Sequence, residues 1–327
     1  MLKTINVVAA IIVKQNTILA ARRKPGLHLA GYWEFPGGKV ESNESPEAAL
    51  IRELKEEFNI ESAVQYFVGE NTHHYGDKTI KLSAFRVEHI SGSFELEDHD
   101  EIRWLRPDEL YELNWAPADI PLIDDFLRIF SINEYYDQFA ANYAQETVSM
   151  DVAVNLQKFV SKIGDAGHIL DLGCGSGRDS KAFLDRGFQV TSVDGSSKLA
   201  VIAEKLIGQK VLVELFQNLR FGPIFDGVWA CASLLHCPPK DLTQTMSNIH
   251  HALKPLGILY ISVKWGELQS VDDKSRLFTY FTQDSLTALL TNEHLFSIEE
   301  CWIETKPLRD GEQKWLNVLG RKVDIMK

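Results

Sequence analysis

Short apolar runs with the length and alternation of β-strands fill the first third of the chain. They cover residues 6–13, 63–68 and 79–87. Residues 46–58 instead repeat apolar positions at helical spacing, which predicts a single prominent helix among the strands. We therefore expect an α+β domain with a mixed sheet.

From about residue 151 the pattern becomes a regular alternation of strands and helices. The predicted order is strand 168–172, helix 178–186, strand 189–193, helix 197–207, strand 211–216 and strand 225–230. Such alternation implies an α/β Rossmann-like fold, a mainly parallel sheet with helices on both faces. Two helical stretches, 118–130 and 133–147, join the regions. We expect domains at 1–130 and 131–327 without a flexible linker.

Length and charge favour two domains that act on small molecules. A chain of 327 residues exceeds the usual size of a single core, and 45% hydrophobic residues allow each part its own core. The formal net charge is −12, with 14 basic and 22 acidic residues up to position 130, and 20 and 24 after it. Because long nucleic acids are bound by basic residues that neutralise phosphates, neither half suits such a partner.

The apolar runs are too short to cross a bilayer, and the first residues lack the pattern of a signal peptide. We therefore expect a cytoplasmic protein without a membrane partner. Its four cysteines form no CxxC pair, so we expect reduced thiols rather than a zinc site or a disulfide framework. The oligomeric state stays open.

A spaced set of charged residues lies between positions 38 and 60. Gly38 is followed after five residues by Glu44, and after seven more by RELKEEFNI at 52–60. This pattern resembles the Nudix box, with Asn59 in place of its usual glycine. Asn tolerates the left-handed conformation expected at a helix C-terminus. The resemblance covers about residues 4–128 and implies a Nudix fold and a metal-dependent hydrolase.

Helix geometry explains the spacing of these charges. Residues three and four apart share a face, so Glu53, Glu56 and Glu57 are expected to project into one site, with Arg52 beside them to hold Glu53. Such hard oxygen ligands suit Mg²⁺ or Mn²⁺, and the Gly37 carbonyl is a further candidate ligand. The alternative is that the charged helix is only a solvated face.

The resemblance also implies a carboxylate from a loop outside the box. Glu97, Asp98, Asp100 and Glu101 compete for this role. We favour Asp98 as a metal ligand and Glu101 as a catalytic residue. The acidic run is otherwise explained as a solvated loop.

Within the Nudix superfamily, three segments resemble MutT-type and CTP-type pyrophosphohydrolases: ARR at 21–23, EFPGGK at 34–39 and APAD at 116–119. The resemblance implies that Arg23 contacts phosphate or base, that Phe35 packs near the base and that Asp119 hydrogen-bonds the base edge. The expected substrate is a nucleoside triphosphate, of the CTP or dCTP type or an oxidised purine such as 8-oxo-dGTP. As alternatives, Phe35 belongs to the core and Asp119 caps the following helix.

The second region begins with a strand that runs into a glycine turn. The segment ILDLGCGSGRD at 169–179 contains three glycines that let the backbone approach a ligand closely. A dinucleotide site prefers G-x-G-x-x-G, whereas this spacing is G-x-G-x-G with Asp171 ahead of it. The next strand ends at Asp194, where an acid can bind a ribose diol. A NAD-binding Rossmann domain is the alternative.

This order resembles motifs I and II of class I methyltransferases, which use S-adenosylmethionine, over about residues 133–327. The resemblance implies the following contacts to the cofactor: Asp171, Gly173, Cys174, Gly175 and Gly177 to the methionine moiety, Asp194 to the ribose, Phe216 and Gln217 to the adenine, Ser233 and His236 beside the methyl group, and Tyr143 as a lid. As alternatives, His236 is a core histidine and Tyr143 is ordinary helix packing.

The methyl acceptor is expected to be a small molecule. The Asn-Pro-Pro-Tyr or Asp-Pro-Pro-Tyr pattern of amino-methylating DNA enzymes is absent, since residues 232–237 read ASLLHC. We expect residues 309–317, Trp315 above all, to line the acceptor pocket. The alternative is that this run only forms the last strand of the sheet. The whole chain is expected to be a bifunctional enzyme; the alternative is that one domain senses a nucleotide or cofactor for the other.

Overall fold

The computed structural model describes residues 3–76, 78–267, 269–271, 277–308 and 311–324. Two compact units divide the chain after Phe130. In the part described, no helix is long and apolar enough to cross a membrane. The four cysteines are free thiols.

The first unit is a mixed sheet with one helix against it, which confirms the α+β prediction. Its elements are β1 (Lys3–Lys14), β2 (Thr17–Arg23), β3 (Trp33–Glu34), β4 (Gly37–Lys39), α1 (Pro46–Phe58), β5 (Glu61–Tyr75), β6 (Lys78–Ser91) and β7 (His99–Leu105). β1 runs parallel to β6 and antiparallel to β2 and β4, and β7 pairs with β2. The central position of β1 explains its continuous apolar run.

Both ends of α1 are specified by the sequence. The Ser45 hydroxyl accepts the Ala48 N–H at 3.2 Å, and Pro46 follows in the first turn. Asn59 ends the helix with φ 52° and ψ 34°, the left-handed conformation predicted for it. Leu54 and Phe58 are buried against the sheet. The charged residues between them therefore occupy the remaining faces of the helix.

The second unit is an α/β fold around a mainly parallel sheet, as predicted. The helices from residue 120 onward are α2 (Ile120–Gln138), α3 (Ala140–Thr147), α4 (Ala153–Ile163), α5 (Arg178–Leu184), α6 (Ser197–Ile207), α7 (Pro239–Ala252) and α8 (Gln283–Thr291). The strands are β8 (His168–Leu172), β9 (Gln189–Asp194), β10 (Val211–Val213), β11 (Phe225–Cys231), β12 (Leu253–Lys264), β13 (Gln269–Val271), β14 (Leu277–Thr279), β15 (Phe296–Leu308) and β16 (Gly311–Lys322).

Within the described residues, the larger sheet has the order β10-β9-β8-β11-β12-β16-β15. The first five strands are parallel, and β16 runs antiparallel to both of its neighbours. The carboxyl ends of β8, β9, β11 and β12 therefore meet at one edge, where ligands bind in open α/β sheets.

Several boundaries differ from the sequence prediction; β5, for example, covers Glu61–Tyr75 rather than residues 63–68. The strand expected at 211–216 ends at Val213, and Phe216 begins a 3₁₀ turn instead. The joining helices break at Phe139, with φ −106° and ψ 16°, rather than near residue 131. No glycine or proline lies at residues 131–133 to end the first helix there.

One of the apolar clusters of the second unit contains two stacked rings. Trp229 on β11 and Tyr260 on β12 are opposite each other in the parallel register, and their ring centres are 4.0 Å apart. The Trp229 Nε1–H donates to Asp179 Oδ2 at 2.8 Å. This bond ties the first turn of α5 to the centre of the sheet.

Replacing Asn59 tests its role as the helix end. Asn59→Ala should lower the free energy of unfolding by about 1 kcal/mol, because alanine, unlike asparagine, has no polar side chain to offset the strain of the left-handed region by a local hydrogen bond. Asn59→Gly should match or exceed the wild type, since glycine adopts this conformation without strain. Urea denaturation of the full chain measures the difference. Equal stability of the two variants contradicts the account.

Candidate active sites

A cavity of about 470 Å³ lies in the first unit between β4, α1 and the residues around Asp119. Its lining includes the following predicted site residues: Arg23, Phe35, Gly37, Glu53, Glu57, Asp98 and Asp119. Arg52, Glu56 and Glu101 are not among the described residues that line it. The residues expected to bind the metal and those expected to contact the base therefore line the same cavity.

Arg52 organises the acidic face of α1 from outside the cavity. Its guanidinium donates to Glu53 Oε1 at 3.0 Å, as predicted, and also to Glu44 Oε1 at 2.7 Å and Glu56 Oε2 at 3.1 Å. The Glu56 side chain is 60% exposed, so its role at the site stays a prediction. A Cβ on Gly38 would collide with the Glu53 carboxylate, so a larger residue there would displace this side chain from its observed position.

The Glu57 side chain is largely buried, with 19% of its surface exposed. Its Oε2 is buried and has no partner among the described residues. Burial raises the pKa of Glu57 to about 8, and the nearby carboxylates of Glu53 and Asp98 add to the shift. His99 lies beside it, with Nδ1 3.8 Å from Glu57 Oε2. A cation at this position would relieve both the burial and the repulsion.

His99 was missed by the sequence reasoning, and a strand irregularity explains why. β7 pairs with β2 so that Glu101 is opposite Arg22, but His99 is opposite Arg23, with a register shift between them. The extra residue makes His99 and Glu101 point to opposite faces, which simple alternation does not show. His99 Nε2 lies 2.9 Å from Glu34 Oε1.

The structure does not support Glu101 as a residue of this cavity. Its carboxylate pairs with Arg22 at 2.8 Å and with Arg103 at 2.7 Å. Asp98 does line the cavity, and its Oδ1 lies 3.3 Å from Lys24 Nζ. Of the acidic residues between 97 and 101, Asp98 is therefore the one favoured by the geometry.

The far side of the cavity holds a buried acid and an aromatic pair. Asp119 Oδ1 accepts the Phe35 backbone N–H at 3.0 Å, and burial raises the pKa of Asp119 well above its usual range. The Phe35 ring lies 4.8 Å from the Trp115 ring. Arg23 is held by Glu34 at 2.6 Å. Glu34 had no predicted role, although it lies in the EFPGGK segment.

The donor set of the first cavity fits a hard divalent cation. As the side chains stand, no three His, Cys, Asp or Glu residues in the described ranges are arranged to hold a metal ion. Glu53 faces Arg52, and Glu57 faces His99. The unpartnered Glu57 oxygen and the neighbouring carboxylates are nevertheless the ligands that Mg²⁺ or Mn²⁺ prefers, once these side chains turn toward a common point.

A second cavity, of about 600 Å³, lies at the carboxyl edge of the larger sheet. Its lining includes the following predicted residues: Tyr143, Gly173, Cys174, Gly175, His236 and Trp315. Arg309, at the start of the predicted acceptor run, lies outside the described residues. The glycine turn and the candidate lid thus face one space.

The two predicted acids of this unit, Asp171 and Asp194, are held by hydrogen bonds in and next to the glycine turn. Asp194 Oδ2 accepts the Gly175 N–H and its Oδ1 accepts the Ser196 N–H, both at 2.8 Å. Burial raises the pKa of Asp194 to about 6. Asp171 is also buried, and its Oδ2 accepts the Ser180 hydroxyl at 2.6 Å. Neither carboxylate is among the described lining residues, so direct cofactor contact stays a prediction.

Ser233 and Phe216 flank the first glycine of the turn. Gly173 has φ +82°, and a Cβ there would collide with Ser233 and meet the Phe216 ring at 3.5 Å. The Ser233 hydroxyl is buried and has no hydrogen-bond partner among the described residues. Gln217 lies in the 3₁₀ turn after Phe216. Gly177 begins α5 with φ +83°.

Two further features of this cavity were not predicted. Arg178 donates to Asp179 at 2.6 and 2.9 Å, and both residues line the cavity directly after the glycine turn. The acid immediately after Arg178 was visible in the sequence but had no assigned role. Tyr136 Oη lies 2.7 Å from His236 Nε2, so His236 is held at the cavity wall by an aromatic residue of α2.

Comparison with known proteins agrees with these two folds. Residues 7–125 match the family model described as a NUDIX domain, and residues 169–257 match one described as a methyltransferase domain. The chain is therefore a two-domain enzyme, in which a hydrolase domain is followed by a transferase domain. The methyltransferase match favours that reading of the glycine turn over the NAD-binding alternative.

The relatives of the first unit are matched over most of their length. CTP pyrophosphohydrolase of Escherichia coli (strain K12) is 41% identical over 128 residues, which are 39% of this chain and 95% of that protein. A putative 8-oxo-dGTP diphosphatase 2 of Mycobacterium tuberculosis is 41% identical over 37% of this chain and 87% of that protein. The chain belongs to the Nudix family through its first unit.

The relatives of the second unit are matched in part. The putative methyltransferase YqeM of Bacillus subtilis is 34% identical over 110 residues, and the chain spans 44% of its length. A Burkholderia thailandensis 1,6-didemethyltoxoflavin-N1-methyltransferase is 24% identical, with a TM-score of 0.50 over 62% of this chain and 90% of that one. This likeness supports the fold of the second unit.

The buried Glu57 carboxyl predicts a pH-dependent stability in the metal-free protein. Its pKa is about 8 in the folded state against an ordinary value of 4.5, so the folded state retains a proton that the unfolded state has lost. Stability should therefore fall as pH rises between these values. Glu57→Gln, which cannot ionise, should gain on the order of 2 kcal/mol over the wild type between pH 5 and about 9.

Urea denaturation in EDTA measures this difference. Glu47→Gln is the matched control, because Glu47 is an exposed glutamate in the first turn of the same helix. Its stability should follow the pH dependence of the wild type. A Glu57→Gln profile parallel to the wild type would show that Glu57 is not held in a raised-pKa state.

Proposed function

We propose that the first unit hydrolyses a nucleoside triphosphate to a monophosphate and pyrophosphate, with Mg²⁺ or Mn²⁺ as cofactor. The observation that supports this is one cavity that has, on one side, a buried Glu57 oxygen without a hydrogen bond among the described residues and, on the other, the buried Asp119–Phe35 pair. The names of the relatives point to CTP or to an oxidised purine such as 8-oxo-dGTP as substrate.

The metal would be held by Glu53, Glu57, Asp98 and the Gly37 carbonyl, where it would neutralise phosphate charge and polarise the attacking water. Arg52 fixes Glu53, which we assign to accept the proton that the water loses as the phosphoanhydride bond breaks. Arg23, which pairs with Glu34, is proposed to contact a phosphate or the base.

Asp119 and Phe35 are proposed to select the base. Asp119 is anchored through one oxygen to the Phe35 backbone, so the acid is held next to this aromatic residue. A raised pKa lets a carboxyl group donate as well as accept a hydrogen bond, which suits the mixed edge of a base. The Phe35 ring offers a flat apolar surface beside it.

We further propose that the second unit transfers a methyl group from S-adenosylmethionine to a small molecule. The fit rests on the left-handed Gly173, whose missing Cβ leaves space in front of the unpartnered Ser233 hydroxyl. S-adenosylmethionine supplies an electrophilic methyl group on its sulfonium. The residues of the chain align the reactants and exclude water, which is sufficient for an in-line displacement.

A nucleotide panel tests the first activity. Pyrophosphate release should require Mg²⁺ or Mn²⁺ and should be fastest with CTP, dCTP or 8-oxo-dGTP. Glu53→Gln should lower kcat by about 100-fold or more, because the fixed carboxylate is lost from the site. Glu47→Gln, on the exposed first turn of α1, should retain the wild-type rate.

Circular dichroism shows whether Glu53→Gln keeps its fold. If folded Glu53→Gln releases pyrophosphate at the wild-type rate, Glu53 is not the residue that accepts the proton. Nucleotide binding by the wild type without turnover on any member of the panel would instead indicate a sensing domain.

A further inference from the structure

Two buried polar atoms face each other beside the first cavity. They are Glu57 Oε2 and His99 Nδ1, and 3.8 Å separates them. Neither atom has a hydrogen-bond partner among the described residues. A buried polar group without a hydrogen bond costs free energy, so two such atoms side by side require an explanation. A shift of roughly 1 Å would bring them to hydrogen-bond distance, and one hydrogen between them would satisfy both.

The His99 ring is fixed on its other sides. Its Nε2 lies 2.9 Å from Glu34 Oε1, and the same oxygen accepts a hydrogen bond from Arg23 at 2.6 Å. Because this carboxylate oxygen is an acceptor, the Nε2–H is the donor. The ring also stacks on Phe58, with 5.0 Å between the ring centres and 27° between the planes. The His99 side chain is only 1% exposed. Glu57 is therefore the part of the pair that is able to move.

The irregular pairing of β7 gives His99 this position. His99 is opposite Arg23 on β2, and its neighbour Asp98 lines the cavity. His99 itself is not among the described lining residues, so it is not placed to touch a ligand. Glu34 and Glu57, which it approaches with its two nitrogens, both line the cavity. The histidine thus connects two residues of the cavity wall from outside the cavity.

The two oxygens of Glu57 have different surroundings. Oε2 is buried next to His99, whereas the side chain as a whole is partly exposed and lines the cavity. Oε1 is therefore the oxygen that Glu57 presents to the cavity. A carboxylate whose one oxygen is held by a hydrogen bond loses less freedom when the other binds a metal. Support of this kind from outside the ligands typically changes metal affinity by about 10- to 100-fold.

We infer that His99 is a positioning residue of the first unit: its Nδ1 forms a hydrogen bond with Glu57 Oε2 and so turns Oε1 toward the metal, while Glu34 holds the ring in place. This inference rests on the divalent-cation site proposed above. His99 contacts neither the metal nor the substrate, and it acts through Glu57. The metal site then depends on a residue of β7 that is not a ligand, as well as on the acidic residues of α1 and on Asp98.

Two substitutions separate the roles of the two nitrogens of His99. The amide of His99→Asn lies at the reach of Nδ1 and is able to contact Glu57, whereas the amide of His99→Gln lies at the reach of Nε2 and contacts only Glu34. Titration of the full chain with Mn²⁺ without nucleotide, followed by electron paramagnetic resonance, measures the affinity. His99→Gln should bind Mn²⁺ about tenfold more weakly than the wild type, and His99→Asn should bind it within about threefold of the wild type.

His74→Gln is the matched control, because His74 is exposed on β5 and is not among the described lining residues. It should bind Mn²⁺ as the wild type does. Circular dichroism shows whether each variant is folded. If His99→Gln does not fold, His99→Leu takes its place with the same expected loss, since leucine fills the space beside Phe58 without either nitrogen.

A double-mutant cycle shows whether His99 acts through Glu57. In the Glu57→Ala background, His99→Gln should cause less than about a twofold further loss of Mn²⁺ affinity, because the carboxylate that His99 positions is gone. If the loss in this background equals the loss in the wild-type background, His99 either binds the metal itself or supports the fold in general. Either case overturns the inference.

The inference and the proposed function fail in different ways. No saturable Mn²⁺ binding by the wild type overturns the metal site and with it the inference. Equal Mn²⁺ affinity of the wild type and folded His99→Gln overturns only the role of His99. Equal weakening in His99→Asn and His99→Gln does the same, since the contact at Nδ1 would then have no effect.

Discussion

A carboxyl group removed from water must be protonated, hydrogen-bonded or given a cation, and both units of this chain depend on how they meet that requirement. In the second unit the protein itself supplies the answer, because Asp194 accepts two backbone N–H groups and Asp171 accepts a hydroxyl. In the first unit Glu57 keeps one buried oxygen without a partner beside other carboxylates. The arrangement at Asp194 shapes a backbone turn, whereas the arrangement at Glu57 is the one that we propose a divalent cation completes.

The surrounding structure holds these groups in place. A capped helix ending in a left-handed Asn59 fixes the orientation of the acidic residues of α1, and Arg52 ties Glu53 to Glu44. In the second unit, the bond from Trp229 to Asp179 connects the stacked core to the helix that follows the glycine turn. Each site thus takes its geometry from a rigid element rather than from a loop alone.

Much of the fold and part of each site followed from the sequence, because helix spacing and strand alternation report directly on local geometry. The Nudix and methyltransferase domains, the end of α1 at Asn59 and the Arg52–Glu53 contact were all predicted. His99 was missed as a residue beside Glu57, and Glu101 does not line the first cavity, because the irregular pairing of β7 cannot be seen from the alternation of the sequence.

The central claim is that the carboxylates around Glu57 form a site for a divalent cation. Electron paramagnetic resonance of Mn²⁺ measures this directly, since bound Mn²⁺ loses the sharp signal of the free ion. We expect the wild type to bind Mn²⁺ saturably, Glu57→Gln to bind it about 100-fold more weakly through loss of a charged ligand, and Glu47→Gln to bind it as the wild type does. Binding of Mn²⁺ by Glu57→Gln as tightly as by the wild type would contradict it.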